Sequence, residues 1–97
     1  MSEFSFTAEV IHWRGPAPFY FARLPEDVAD RVRDMAKSVS YGWGVIPVEA
    51  VIGGVVFRTS LFPKEGGYLL PLKDAVRRKI DIPASGVLEI GMVVGPA

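Results

Sequence analysis

The sequence has no cysteine and only one histidine among its 97 residues. The lack of cysteine excludes disulfide bonds, thiolate metal ligands and cysteine nucleophiles. The one histidine, His12, cannot form a ligand cluster by itself, and no acidic partner stands at a motif spacing from it. We therefore expect a structural role for His12, no metal site, no cofactor and no catalytic residues.

Net charge and long apolar runs are also missing. Eleven basic and eleven acidic side chains cancel, so overall electrostatics do not draw the chain toward nucleic acid or anionic lipid. No run approaches the ~18 apolar residues that span a bilayer, and the first residues lack the basic and apolar blocks of a signal peptide. We expect one domain over residues 1–97, cytoplasmic and of prokaryotic type, acting as a monomer or a weak dimer without membrane contact.

A predicted β-hairpin that turns at Gly53-Gly54 organises the chain. Two glycines between alternating apolar runs favour a two-residue loop, because glycine reaches positive φ without strain. This loop places Glu49 opposite Arg58 as a cross-strand ion pair. The side chains of both strands then alternate between a core face and a mixed face. The core face contains Ile46, Val48, Ala50, Ile52, Val55, Phe57, Thr59 and Leu61.

Apolar periodicity predicts the remaining elements. Pro25 followed by Glu26 and Asp27 is typical of a helix start, because proline fits the first turn and carboxylates complement the helix dipole. The predicted helices are 25–40 and 72–80; the predicted strands are 3–13, 19–24, 44–52, 55–61, 68–71 and 87–94; residues 62–67 are predicted to form a turn.

Six strands with mostly short connections predict a mainly β (α+β) fold, a six-stranded β-barrel capped by two short helices. Closure of the barrel would protect the strand edges from aggregation. Two residues predict local irregularities. Pro47 cannot donate a ladder hydrogen bond, so its strand should lie at an edge or carry a bulge, and Gly91 should mark a close approach or a bulge.

Several motifs together cover nearly the whole chain. They are Leu24-Pro25, Trp43–Val48, Ile52–Gly54, Phe57–Pro63, Tyr68–Lys73 and Val76–Lys79, with the phenylalanines of the first strand. The combination resembles a small prokaryotic family of domains of unknown function, which implies the double-split β-barrel fold and no established activity. Leu70-Pro71, Arg77, Ile80 and residues 86–90 are more weakly similar to the swapped-hairpin DNA-binding domains of the AbrB/MazE kind, which build such a barrel from two chains.

Basic residues give the best candidate site. Lys73 and Arg77 lie four residues apart on one predicted helix face and repel each other mildly, so a bound anion could compensate their charge. The simpler alternative is that each cation near a helix C-terminus stabilises the helix by ~0.3–1 kcal/mol. Arg58, if it lies in a cleft, could hold a carboxylate or phosphate. The candidate ligand-binding residues are Arg58, Thr59, Ser60, Lys73, Arg77 and Trp43. The candidate nucleic-acid-binding residues are Lys73, Arg77, Arg78 and Lys79.

Three function classes stay open. The preferred one is a non-catalytic binding module for a small anion or a peptide. The alternative is a DNA-binding regulator or antitoxin-like protein, which requires a dimer, a contiguous basic face and an affinity that falls steeply with salt. The third is an enzyme with a deep pocket and a perturbed acid or base. The glycines form no phosphate-loop motif and the serines lack a nucleophile-elbow context, so we do not expect an enzyme.

Overall fold

Within the residues that the structure describes (2–13, 19–39, 46–80 and 86–95), six segments form strands and two form helices. The structure is a computed structural model. The strands are β1 (Ser2–Trp13), β2 (Phe19–Arg23), β3 (Ile46–Ile52), β4 (Val55–Lys64), β5 (Gly67–Leu72) and β6 (Val87–Val94). The helices are α1 (Glu26–Val39) and α2 (Asp74–Ile80). Neither of these helices is long and apolar enough to cross a membrane.

The strands close into an antiparallel barrel in the order β1-β2-β5-β4-β3-β6. Two strands change partner along their length. β1 pairs with β6 over residues 2–9 and with β2 over residues 10–13. β4 pairs with β3 over residues 55–61 and with β5 over residues 62–64. The predicted mainly β fold, a six-stranded barrel with two short helices, is confirmed.

The inward side chains of the barrel and the apolar stripe of α1 form one core. Leu61 and Leu70 are fully enclosed at the centre of this cluster. From α1, the residues Val28, Ala29 and Val32 join it. The helix therefore packs its apolar side against the barrel interior and leaves its charged side in solvent.

The predicted hairpin is confirmed. β3 and β4 pair with Glu49 opposite Arg58, and the turn residues Gly53 and Gly54 have φ angles of 57° and 80°. A side chain would strain the backbone at these angles, which is why the turn requires glycine. The inward residues of β3 are buried, whereas those of β4 are half-buried except for the fully enclosed Leu61.

The turn predicted over residues 62–67 is confirmed only at Glu65 and Gly66, because residues 62–64 extend β4 and Gly67 begins β5. Pro63 fits inside the strand because of its partner. It pairs with Tyr68, whose carbonyl accepts a hydrogen bond from the Leu24 N–H at 3.1 Å. Tyr68 thus directs its backbone polar groups toward β2, and the pair needs no N–H from Pro63.

Pro47 has a strand partner on one side only, in β4, which agrees with the edge predicted there, whereas Gly91 occupies a regular position and the bulge or close approach predicted for it is wrong. Pro47 pairs with Ser60 just before the pairing of β3 with β6 begins. Its carbonyl accepts a hydrogen bond from the Gly95 N–H at 2.9 Å. Pro47 therefore stands at the end of the β3–β6 ladder, where the lack of an N–H removes no hydrogen bond from the ladder. A Cβ built on Gly91 would lie 3.9 Å from the Val51 Cβ, which is an ordinary contact.

The second helix begins two residues later than the sequence pattern predicts. Leu72 is the last residue of β5, pairs with Tyr20 of β2 and is buried in the core. The apolar periodicity assigned Leu72 to the helix, but its pairing with Tyr20 places it in a strand. The local sequence does not reveal this pairing.

Candidate functional site

Arg58, Thr59 and Ser60 follow one another along β4, so they cannot all face the same side of the strand. Arg58 faces outward, and its Nε lies 3.3 Å from Oε2 of Glu49. The predicted cross-strand ion pair is therefore confirmed. Thr59 faces the barrel interior opposite Val48. Of the three predicted ligand-binding residues on β4, only Arg58 and Ser60 share the outer wall.

Arg77 is held by contacts within the protein. Its Nη1 donates a hydrogen bond of 2.8 Å to Oδ1 of Asp74, and its guanidinium carbon lies 3.6 Å from the centroid of the Tyr20 ring. Tyr20 stacks on His12 with ring centroids 4.3 Å apart and planes inclined by 3°. The Nε of Arg77 is buried and has no hydrogen-bond partner among the described atoms. The stack of three side chains joins α2 to β1 and β2, and the structural role of His12 stays a prediction.

The other predicted binding residues contribute exposed charge. Lys73, Arg78 and Lys79 are exposed at the start and end of α2. Trp43 lies outside the described residues. Arg58 pairs with Glu49 and Arg77 pairs with Asp74, and these ion pairs do not unite the two arginines with Lys73 in one cleft. Within the same described ranges, no three His, Asp or Glu side chains converge as a metal site would require. A binding role for the predicted residues stays a prediction.

An apolar groove of about 410 Å³ runs along the outer wall of the barrel across β1, β2, β5 and β4. Strand register assembles its floor, because Ile11 pairs with Phe21 and Leu69 pairs with Phe62. These four side chains face outward, since their neighbours along each strand face the core. The rings of Phe21 and Phe62 meet edge to face, with centroids 5.2 Å apart and planes inclined by 81°.

The rim of the groove is charged. Arg23, Lys64 and Glu65 line it beside the apolar floor. The Nη1 of Arg23 lies 3.7 Å from Oε2 of Glu65, and the two side chains are 40% and 74% exposed. Two cations and one carboxylate therefore stand at the edge of the groove, and an arginine or lysine side chain is what an anionic group of a ligand needs there.

A polar cavity of about 330 Å³ adjoins the groove and shares Arg23 and Glu65 with it. On the far side of this cavity, Arg33 of α1 donates from Nη2 to the carbonyl oxygen of Gly66. Its Nη1 donates to Oδ1 of Asp30 at 2.8 Å. Helix α1 thereby holds the turn between β4 and β5, and the Glu65 side chain stands between the two cavities.

The sequence matches the family described as Domain of unknown function (DUF1905) over residues 6–91. The chain belongs to this family. The match includes both helices and part or all of every described strand, so the groove and the Arg77 stack lie within the DUF1905 domain. No curated protein matches the sequence. The resemblance to a family of domains of unknown function is confirmed.

Sequence reasoning missed the groove of this DUF1905 domain, although a signal for it is present. The outward positions of β1 are polar at Ser5, Thr7 and Glu9 and become apolar at Ile11. On β4 the same change occurs at Phe62, which the sequence pattern assigns to a turn. Extending the two-residue period past that proline-containing segment would have placed Phe62 on the outer wall.

Proposed function

We propose that this DUF1905 domain is a non-catalytic binding module that takes a small ligand with an apolar body and one anionic group. The site is the outer-wall groove. The observation that carries the proposal is its floor of four apolar side chains, Ile11, Phe21, Phe62 and Leu69, on a wall of the barrel that faces solvent. Three of the four are half-buried, so part of their apolar surface stays in contact with water.

The floor supports an apolar ligand body. Covering apolar surface stabilises a complex by roughly 25 cal/mol per Å² removed from water. The groove volume of about 410 Å³ lies at the small end of the ~300–1,000 Å³ range of ligand pockets. An aromatic acid is a ligand of suitable size, because its ring can contact the edge-to-face pair of Phe21 and Phe62.

The rim supports an anionic group on the ligand. Arg23 and Lys64 outnumber the one carboxylate of Glu65, and an arginine can bind a carboxylate through two parallel hydrogen bonds. All the lining residues come from one chain, so the proposal requires no dimer. The ligand's position differs from the one predicted around Arg58 and Arg77, because Arg23 is the arginine that lines the apolar groove.

DNA binding in the manner of the AbrB/MazE domains is the weaker alternative. Lys73, Arg78 and Lys79 are exposed and could contact phosphates. They lie at a helix of seven residues, and the whole chain has no net charge. Electrostatic attraction to a duplex is therefore local and small, whereas the groove offers both apolar area and charge.

Phenylpropionate titration tests the proposal. We expect saturable changes in backbone amide chemical shifts at Ile11, Phe21, Phe62 and Leu69 as the acid is added. The variant Phe62→Glu should abolish them, because it places a carboxylate on the apolar floor. The matched control Val56→Glu changes an outward residue of the same strand, 57% exposed and outside the groove, and should leave the shifts unchanged.

Two outcomes would contradict the proposal. One is the absence of saturable shifts in the wild-type domain. The other is a set of shifts centred on Arg58 or Arg77, which would favour the residues singled out by the sequence. A short peptide that binds at the groove more tightly than phenylpropionate would identify a peptide, and not a small molecule, as the ligand.

A further inference from the structure

We infer that Arg23 is the residue that anchors the ligand's anionic group, and that Glu65 is an internal competitor that occupies Arg23 when the groove is empty. This inference rests on the proposed function of the groove. It assigns the charge preference of the site to one ion pair and predicts which variant strengthens binding.

The position of Arg23 supports its role as anchor. Its cross-strand partner is Leu69 of the groove floor, so its guanidinium lies at the boundary between apolar floor and solvent. The Nη2 atom lies 3.6 Å from the point where a Cβ on Gly67 would stand. This is an ordinary contact distance, so the guanidinium lies against the strand at Gly67. From there Arg23 lines both the groove and the polar cavity.

The geometry of the pair supports Glu65 as a competitor that a ligand can displace. Its separation of 3.7 Å from Arg23 exceeds the ~2.7–2.9 Å of a charge-assisted hydrogen bond. With side chains 40% and 74% exposed, such a pair stabilises a protein by only ~0–1 kcal/mol. A carboxylate seated on the apolar floor can approach Arg23 more closely and in a less hydrated setting, where the same charges attract more strongly.

The turn that carries Glu65 is held in place, so displacement needs only a side-chain rotation. Glu65 has a φ of 50°, an angle that a tight two-residue turn imposes. The next carbonyl, of Gly66, accepts a hydrogen bond from Arg33 of α1. The backbone can therefore stay where it is while the exposed carboxylate turns toward solvent and releases Arg23.

The test compares phenylpropionate with phenylpropanol, which has a similar apolar body and no charge. In the wild-type domain the acid should bind more tightly than the alcohol. Arg23→Gln should weaken acid binding by about tenfold or more, the value of a hydrogen bond to a charged group, and should weaken alcohol binding far less, because the alcohol carries no charge. Arg23→Lys should restore part of the acid affinity, because it keeps the charge and loses the two-bond geometry.

Glu65→Gln is the decisive variant. It should tighten acid binding by about 1.5- to fivefold, the worth of an exposed ion pair, and should change alcohol binding less. Lys64→Gln serves as the comparison on the same rim and should weaken acid binding less than Arg23→Gln. Melting temperatures of all variants should be measured, so that a loss of binding is separated from a loss of folding.

The outcomes separate this inference from the proposed function. If neither acid nor alcohol binds the wild-type domain, the groove is not a ligand site and both ideas fail. If acid and alcohol bind equally well, or Glu65→Gln leaves acid affinity unchanged, the groove stands and the exchange at Arg23 is refuted. A loss on Lys64→Gln as large as that on Arg23→Gln overturns the choice of Arg23 as anchor.

Discussion

Replacing Gly91 with alanine should stabilise the domain. Gly91 lies inside β6, with Val51 of β3 on one side and Ser5 of β1 on the other. A Cβ there meets only the Val51 Cβ, at 3.9 Å, and the backbone needs no positive φ. An alanine that fits the native backbone lowers the entropy of the unfolded chain and stabilises by ~0.4–1 kcal/mol.

The matched control is Gly54→Ala in the hairpin turn. A Cβ on Gly54 meets nothing within 4 Å, but the residue has a φ of 80°. The alanine is therefore strained by its backbone and not by crowding, and the variant should lose roughly 1 kcal/mol or more. The two substitutions add the same methyl group, and we expect opposite signs because only one of them requires a left-handed backbone.

Urea denaturation of both variants and the wild type measures these differences, with thermal melts as a second readout. For a domain of this size, 1 kcal/mol corresponds to about 4–8 °C in melting temperature, so Gly91→Ala should raise it by roughly 2–8 °C. A loss of stability in Gly91→Ala comparable to that in Gly54→Ala would refute the reasoning. It would mean that the neighbours of Gly91 approach more closely than the barrel register places them.

The remaining predictions concern the core and the hairpin surface. Leu61→Ala should lower the free energy of unfolding by ~2–5 kcal/mol, because the Leu61 side chain is fully enclosed and its removal leaves a cavity. Phe57 is half-buried, so Phe57→Ala should lower the free energy of unfolding by less per atom removed. Equal effects per atom in urea denaturation would contradict the burial pattern. A double-mutant cycle on Glu49→Gln and Arg58→Gln should give a coupling of ~0.2–1 kcal/mol that shrinks with added salt. A coupling above that range, or one indifferent to salt, would show that the pair is not the exposed contact seen on the barrel wall.

The hairpin was predictable because local chemistry controls it. Gly53 and Gly54 select a two-residue turn, and that turn determines every pairing from Ile52 back to Ile46. A slip by one residue would move the apolar set into solvent, so the sequence pattern permits one register. The strand count and the amphipathic α1 follow from equally local periodicity.

The end of β4 was not predictable by the same reasoning. Pro63 is a turn signal in its own segment, and only its partner Tyr68, which bonds to Leu24 on the other side, makes a proline acceptable there. Leu72 was misassigned for a related reason, since its pairing with Tyr20 decides that it belongs to a strand. In each case a distant segment outweighed the local preference.

The sequence alone determined the mainly β fold class, because its strands alternate apolar and polar residues, and it determined the register of one hairpin. It also excluded thiol chemistry and a net charge. Only the tertiary structure decided where the outer-wall groove lies. The groove joins Ile11, Phe21, Phe62 and Leu69, which lie on four different strands. Strands that are neighbours in the barrel are not always consecutive in the sequence. Which outward side chains become neighbours depends on strand order and closure, and those are long-range outcomes of packing that no local pattern encodes.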